Sequence, residues 1–223
     1  MSKQFIAILA AVVVSLGLIF WFGGGHKKNG NTSNSNSSNA QASNHIEGQG
    51  KKGVTLTEYG DYECPVCGAY FATVKQVAAQ YSQDIFFQFR NLPLTQIHPN
   101  AFAGARAAEA AGKQGKYFEM HDILYEQQNS WANVSNPVPA FQSYAQQLGL
   151  DLTKFNQDYN SSAVNDTIQA DLTAFGKTGQ QEATPTFFLD GKYVDNAKLI
   201  DSNGPSLAQF SAVINAEIAA KNK

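Results

Sequence analysis

The sequence predicts a single α/β domain held behind a membrane anchor and a flexible tether. Three features predict it: an apolar run of eighteen residues near the amino terminus, an Asn/Ser/Gly-rich stretch after it, and then strand-like and helix-like hydrophobic periods following one another. Bulk composition agrees with a globular chain: 223 residues, 43% apolar, net charge −2. That charge gives no basic footprint for nucleic acid and no strong acidic bias, so function has to be read from sites.

Residues 1–4 are read as a short cytoplasmic amino terminus before Phe5–Phe22, FIAILAAVVVSLGLIFWF, which carries no charge. At 1.5 Å per residue a helix of this length covers roughly 27 Å, enough for the hydrocarbon core of a bilayer. Trp21–Gly25 offers no A-x-A cleavage signal, and no cysteine follows the run to carry a lipid, so the segment reads as an uncleaved single-pass anchor. Lys3 lies on one side and Lys27 and Lys28 on the other, so flanking charge alone does not orient it. Residues 23–50 turn to Gly, Asn, Ser and Gln, which cannot bury a core; they read as a flexible linker with a root-mean-square reach of roughly 30 Å. The N-x-S/T matches at Asn31 and Asn36 are what an Asn-rich run yields by chance.

The folded domain is expected over residues 51–223. Val54–Tyr59 alternates and is β-branched, and Ile85–Arg90 is aromatic-rich; both read as strands. Between them Tyr70, Phe71, Val74, Val77, Ala78 and Tyr81 recur at helical spacing. Residues 100–178 read almost wholly as helices, with Trp131 and Asn133–Pro139 as an irregular connection. Thr186–Asp190 then turns through Asp190-Gly191 into Lys192–Val194, a hairpin. A last helix follows, with Pro205 in its first turn and Leu207, Phe210, Ile214 and Ile218 as its buried stripe. The sum is a β-α-β unit, a helical insertion, a hairpin and a closing helix.

The chain's only two cysteines, Cys64 and Cys67, form a C-x-x-C where the first strand turns into the helix. Two cysteines cannot make a disulfide framework, and a domain of this size needs none, so the pair is read as chemical. A thiol at a helix N-terminus meets unpaired N–H groups and the positive end of the macrodipole, which favour thiolate and bring such a cysteine to a pKa of roughly 3.5–7.5. Cys64 is therefore expected as the exposed nucleophile and Cys67 as the buried resolving thiol. Pro65 and Val66 form the active-site turn, Pro65 at an early position where its missing N–H costs nothing.

Glu58 stands six residues before Cys64, on the strand face of Val54 and Leu56. It is either a carboxyl beneath the pair, able to exchange a proton with Cys67, or an exposed strand-end glutamate paired with a lysine. Pro185, at the mouth of the Thr186 strand, follows a bond that spacing alone leaves trans. His98, before Pro99 and Asn100, suits a loop or capping role, and His121, beside Phe118 and Leu124, a core histidine. A zinc site from Cys64, Cys67, His98 and His121 lacks the second closely spaced ligand pair, so no metal is expected. A papain-like Cys-His hydrolase lacks its signatures.

Taken together, Glu58–Tyr70, Phe89–Leu94 with Ile97–Asn100, Gly115–Leu124 and Thr184–Gly191 resemble the DsbA-like thiol-disulfide oxidoreductases, most closely their membrane-tethered bacterial branch. The resemblance spans about residues 50–220. It implies a thioredoxin fold with a helical domain inserted after the second strand, a cis Pro185 packed on the cysteine pair, and Glu58 as the acidic residue under the site. It implies no cofactor, a quinone-linked membrane partner that reoxidises the pair, and a catalytic domain outside the cell membrane. The chain departs from the best-studied oxidases at two places. Val66 stands where they carry His and cannot donate to the Cys64 thiolate, and Thr184, in the substrate groove, replaces their valine. The first implies a milder oxidant, and the second, as the resemblance has it, is shared with isomerase-type relatives.

The expected function is thus the introduction of disulfides into unfolded or reduced exported proteins, chemistry that belongs outside the reducing cytosol. The alternatives are a reductase or isomerase on the same fold, and a non-enzymatic tethered chaperone or binding domain with a static disulfide.

Overall fold

The computed structural model describes residues 40–222. The anchor expected at 5–22 and most of the tether lie outside the described residues. Among the described residues no helix is long and apolar enough to cross a membrane.

The expected β-α-β unit is present. Strand β2 (Val54–Gly60) runs parallel to β3 (Ile85–Asn91), joined by helix α1 (Pro65–Gln80). Strand β4 (Thr186–Leu189) pairs antiparallel with β2 and leads into β5 (Lys192–Val194). The turn between them places Asp190 at φ 49° and Gly191 at φ 74°, the two left-handed residues that a tight hairpin requires. The tether ends sooner than expected, because His45–Glu47 forms a short strand β1 antiparallel to β3. It is tied by side chains whose partners lie far along the chain. Ser43 donates through N (2.8 Å) and Oγ (2.7 Å) to the buried Asp171 carboxylate, and His45 stacks on Tyr117 and sits 2.9 Å from Glu109. The main sheet has the order β1-β3-β2-β4-β5.

Between β3 and β4 lies the insertion: α2 (Ala101–Gly112), α3 (Tyr117–Glu126), the single turn α4 (Gln128–Trp131), α5 (Val138–Gln147), α6 (Leu152–Tyr159) and α7 (Ser162–Gly176). Trp131 is fully buried, its Nε1 donating to Leu124 O, and so belongs to the core. After the hairpin come β6 (Ile200–Asp201), β7 (Gly204–Pro205) and α8 (Leu207–Lys221). Pro205 falls in β7, outside the helix, because the Ser206 N–H is drawn to Leu199 O and the helix starts only at Leu207. Phe210 and Ile214 are its buried residues.

The period-two alternation of β2 divides the core. Val54 and Leu56 join Ile85, Phe87, Phe89 and Phe187 under α1 and α8, whereas Tyr59 packs with Leu92, Phe175 and Phe188 on the opposite face. Glu58 shares the first face, so the sheet directs its carboxyl into the larger core.

Candidate active site

Cys64 caps α1 in extended geometry, φ −67° and ψ 121°, with Pro65 as the first helical residue. Its carbonyl accepts the Gly68 N–H at 3.1 Å, and its own N–H donates to Asp61 O at 3.1 Å. This local geometry follows from the sequence, since proline pre-sets the helical φ and removes a donor that would otherwise be unpaired. Val66 is 52% exposed beside the pair.

Both cysteines are free thiols. Cys64, expected to be exposed, is only 5% exposed, because the Thr184-Pro185 loop closes over it and Thr184 O accepts its thiol proton at 3.5 Å. The Thr184-Pro185 peptide is cis, as the family resemblance implies. Asn196 Nδ2 donates to Pro185 O at 2.8 Å and holds the loop from behind.

Ionisation divides the pair. Cys64 falls from 9.0 to about 5: a hydrogen bond from the Cys67 thiol is the largest cause, and it outweighs burial together with the Thr184 side chain and the N–H groups of Cys67 and Val66. The Thr184 hydroxyl is otherwise buried and without a partner, so a thiolate at Cys64 gives it one. Cys67 is driven well above its ordinary value, chiefly by burial. One sulfur is therefore built to carry charge and the other to hold a proton.

Glu58 is 3% exposed, so the strand-end alternative fails: among the described residues no base pairs with it. It lies between Phe89 and Phe187 on the neighbouring strands. Burial, and next the charge of Cys64, raise it from 4.5 to about 8. The same carboxyl lines a cavity of about 250 Å³ with Phe71, Val74, Phe87, His121 and Tyr125. A carboxyl of this acidity can take or give a proton near neutral pH.

Neither of the two histidines considered above hydrogen-bonds to a cysteine sulfur. His121 is a core residue, 4% exposed, edge-on to Phe89 with Nδ1 at 3.0 Å from Asp122, and burial lowers its pKa. His98 sits in the loop after β3 with Nδ1 2.7 Å from Asp61 Oδ2. Among the described residues no three His, Cys, Asp or Glu side chains are grouped to hold a metal ion.

One site residue carries no signal in the sequence. Gln128, on α4, donates through Nε2 to Tyr62 O (2.8 Å) and Cys64 O (2.9 Å), tying the active-site turn to the insertion. Gly68 makes room for it, since a Cβ there would lie 2.7 Å from Gln128 Oε1.

Set beside known proteins, this architecture has clear counterparts. A family model described as Thioredoxin matches residues 40–214, and the chain belongs to the thioredoxin family. Its fold is that of the DsbA-type proteins. BdbD from Bacillus subtilis, in its oxidised crystal structure, superposes with a TM-score of 0.66 at 19% identity, over 81% of this chain and 97% of that one. Wolbachia pipientis alpha-DsbA1 gives 0.64 at 23%, over 80% and 92%. A thioredoxin-like oxidoreductase from Silicibacter pomeroyi DSS-3 gives 0.61 at 23%, over 78% and 91%. Among curated sequences the chain is 36% identical over 152 residues to Na(+)/H(+) antiporter NhaA 1 of Mycobacterium sp. (strain KMS), matching 66% of this chain and 24% of the antiporter. It is 38% identical over 153 residues to NhaA 1 of Salinispora arenicola (strain CNS-205), covering 22% of that protein. The chain thus spans about a quarter of the length of these curated relatives.

Proposed function

We propose that this protein is a thiol-disulfide oxidoreductase that introduces disulfide bonds into reduced proteins outside the cytoplasm, held at the cell membrane by Phe5–Phe22 with its amino terminus inside. The observation that carries the reading is the opposed acidity of one sulfur pair: Cys64 at about 5 and Cys67 far above its ordinary value, under the Thr184-Pro185 loop.

In the oxidised protein a substrate thiolate attacks Cys64 Sγ. The Cys64–Cys67 bond breaks, and Cys67 leaves as a thiolate that its surroundings do not tolerate. Neutral Glu58 gives it a proton. A second substrate thiolate attacks the substrate sulfur of the mixed disulfide, and Cys64 departs as a stabilised thiolate. The substrate loses two electrons as its disulfide forms, and the cysteine pair gains them. The loop edge at Thr184 holds an extended substrate by backbone hydrogen bonds, which gives broad specificity. A quinone-linked membrane partner then takes the electrons from the reduced pair.

Val66, exposed beside the pair, favours one second reading, a reductase or isomerase, because it supplies no imidazole donor of the kind the best-studied oxidases place beside the thiolate. Cys64→Ser in the full chain is the test: the oxidative refolding rate of a reduced protein is expected to fall to the uncatalysed rate, and an unchanged rate refutes the mechanism.

A further inference from the structure

The stretch just before Cys64 carries a buried acid that the exchange steps do not use. Asp61 is 1% exposed, and its carboxylate accepts three donors: the Glu63 N–H at 2.8 Å, the Leu94 N–H at 2.9 Å and His98 Nδ1 at 2.7 Å. With a carboxylate as acceptor, Nδ1 is the nitrogen that carries the proton. The backbone of the same residue reaches the redox pair, since Asp61 O accepts the Cys64 N–H at 3.1 Å. Glu63, also buried at 5%, is held by the Asn100 N–H from the far end of the His98 loop. Two acids therefore precede, by three positions and by one, the residue whose sulfur must become negative. Among the described residues no lysine or arginine pairs with either; His98 is the partner of Asp61.

We propose that His98, acting through Asp61, is a positioning residue for the Cys64–Cys67 pair: its imidazole fixes the Asp61 carboxylate and offsets its charge next to the nucleophile. The inference rests on the exchange chemistry above and adds to it a residue 34 positions from Cys64 in the sequence. A lost donor has two consequences with the same sign. Asp61 keeps a less compensated charge near the developing thiolate, and the segment that anchors the Cys64 amide loses one of its ties to the Leu94–His98 loop. Both disfavour the Cys64 thiolate, hence the reduced state, and make the protein a weaker oxidant.

The test uses the full chain as wild type, His98→Ala and His98→Asn, the last because an asparagine amide keeps a donor near the position of Nδ1. Two quantities are read: the pH of half-maximal iodoacetamide alkylation of Cys64, and the equilibrium constant of the pair with glutathione. The alanine variant is expected to show a half-alkylation pH about half a unit higher and an equilibrium shifted at least about threefold toward the disulfide, with the asparagine variant returning most of both. Circular dichroism checks that each variant is folded. If His98→Ala does not fold, His98→Phe takes its place. Equal values for the donor-free variant and wild type overturn the proposal, as does an asparagine variant no better than the donor-free one. A wild-type pair that does not equilibrate with glutathione refutes the oxidoreductase reading instead, while the alkylation profile still decides the role of His98.

Discussion

Replacing Glu58 by glutamine should change stability in a way that only pH reveals. The folded protein raises this carboxyl from 4.5 to about 8, mainly by burying it between Phe89 and Phe187. Above about pH 4.5 the unfolded chain releases the Glu58 proton while the folded chain keeps it. The folded state binds more protons across this window, so wild-type stability falls as pH rises, at about 1.4 kcal/mol per unit, and the fall ends above about pH 8. The full span is roughly 5 kcal/mol, with about 3 kcal/mol of it reached by pH 7. Glutamine cannot titrate. Relative to wild type, Glu58→Gln should therefore gain nothing from this source at pH 4, about 3 kcal/mol at pH 7 and about 5 kcal/mol at pH 9. Urea unfolding of the reduced chain in detergent at these three pH values measures the gap. The oxidised protein should show a smaller gain, because the Cys64 charge, the second cause of the shift, is absent from a disulfide. A gap that stays constant from pH 4 to pH 9 refutes the reasoning.

Three further outcomes are expected. Alkylation of Cys64 should be half-maximal near pH 5 while Cys67 stays unreactive below pH 9, measured by mass spectrometry after timed iodoacetamide labelling; similar profiles for the two sulfurs would contradict the assigned asymmetry. Gln128→Ala removes two hydrogen bonds to the active-site turn and should cost about 2 kcal/mol of stability by urea unfolding; an unchanged stability would contradict the tie between the turn and the insertion. Ser43→Ala removes a 2.7 Å bond to the buried Asp171 and should cost about 2 kcal/mol, a loss that a residue of a free tether would not produce.

Much of this site was legible because it is built from local pattern. The C-x-x-C at a strand-to-helix turn placed Cys64 at the cap, and period-two alternation put Glu58 on the core face with Val54 and Leu56. What escaped the sequence is what depends on contacts between distant residues. Cys64 is shielded by Thr184, 120 positions away, so no neighbour in the chain could indicate its low exposure. Gln128 and His98 reach the active-site turn across 64 and 37 positions. Strand β1 lies in polar, linker-like composition, and contacts with β3, Glu109, Tyr117 and Asp171, all far downstream, fix it. Pro205 misled for the opposite reason: proline suits a first helical turn, but a backbone bond from Ser206 to Leu199 claims that stretch for a bridge.

The reduction potential of the Cys64–Cys67 pair, taken from the oxidised fraction across a series of glutathione buffers, tests the central claim most directly. A stabilised Cys64 thiolate predicts a value of roughly −180 to −120 mV, that of a disulfide donor; a value near about −270 mV, in the thioredoxin range, would contradict it and make the protein a reductant.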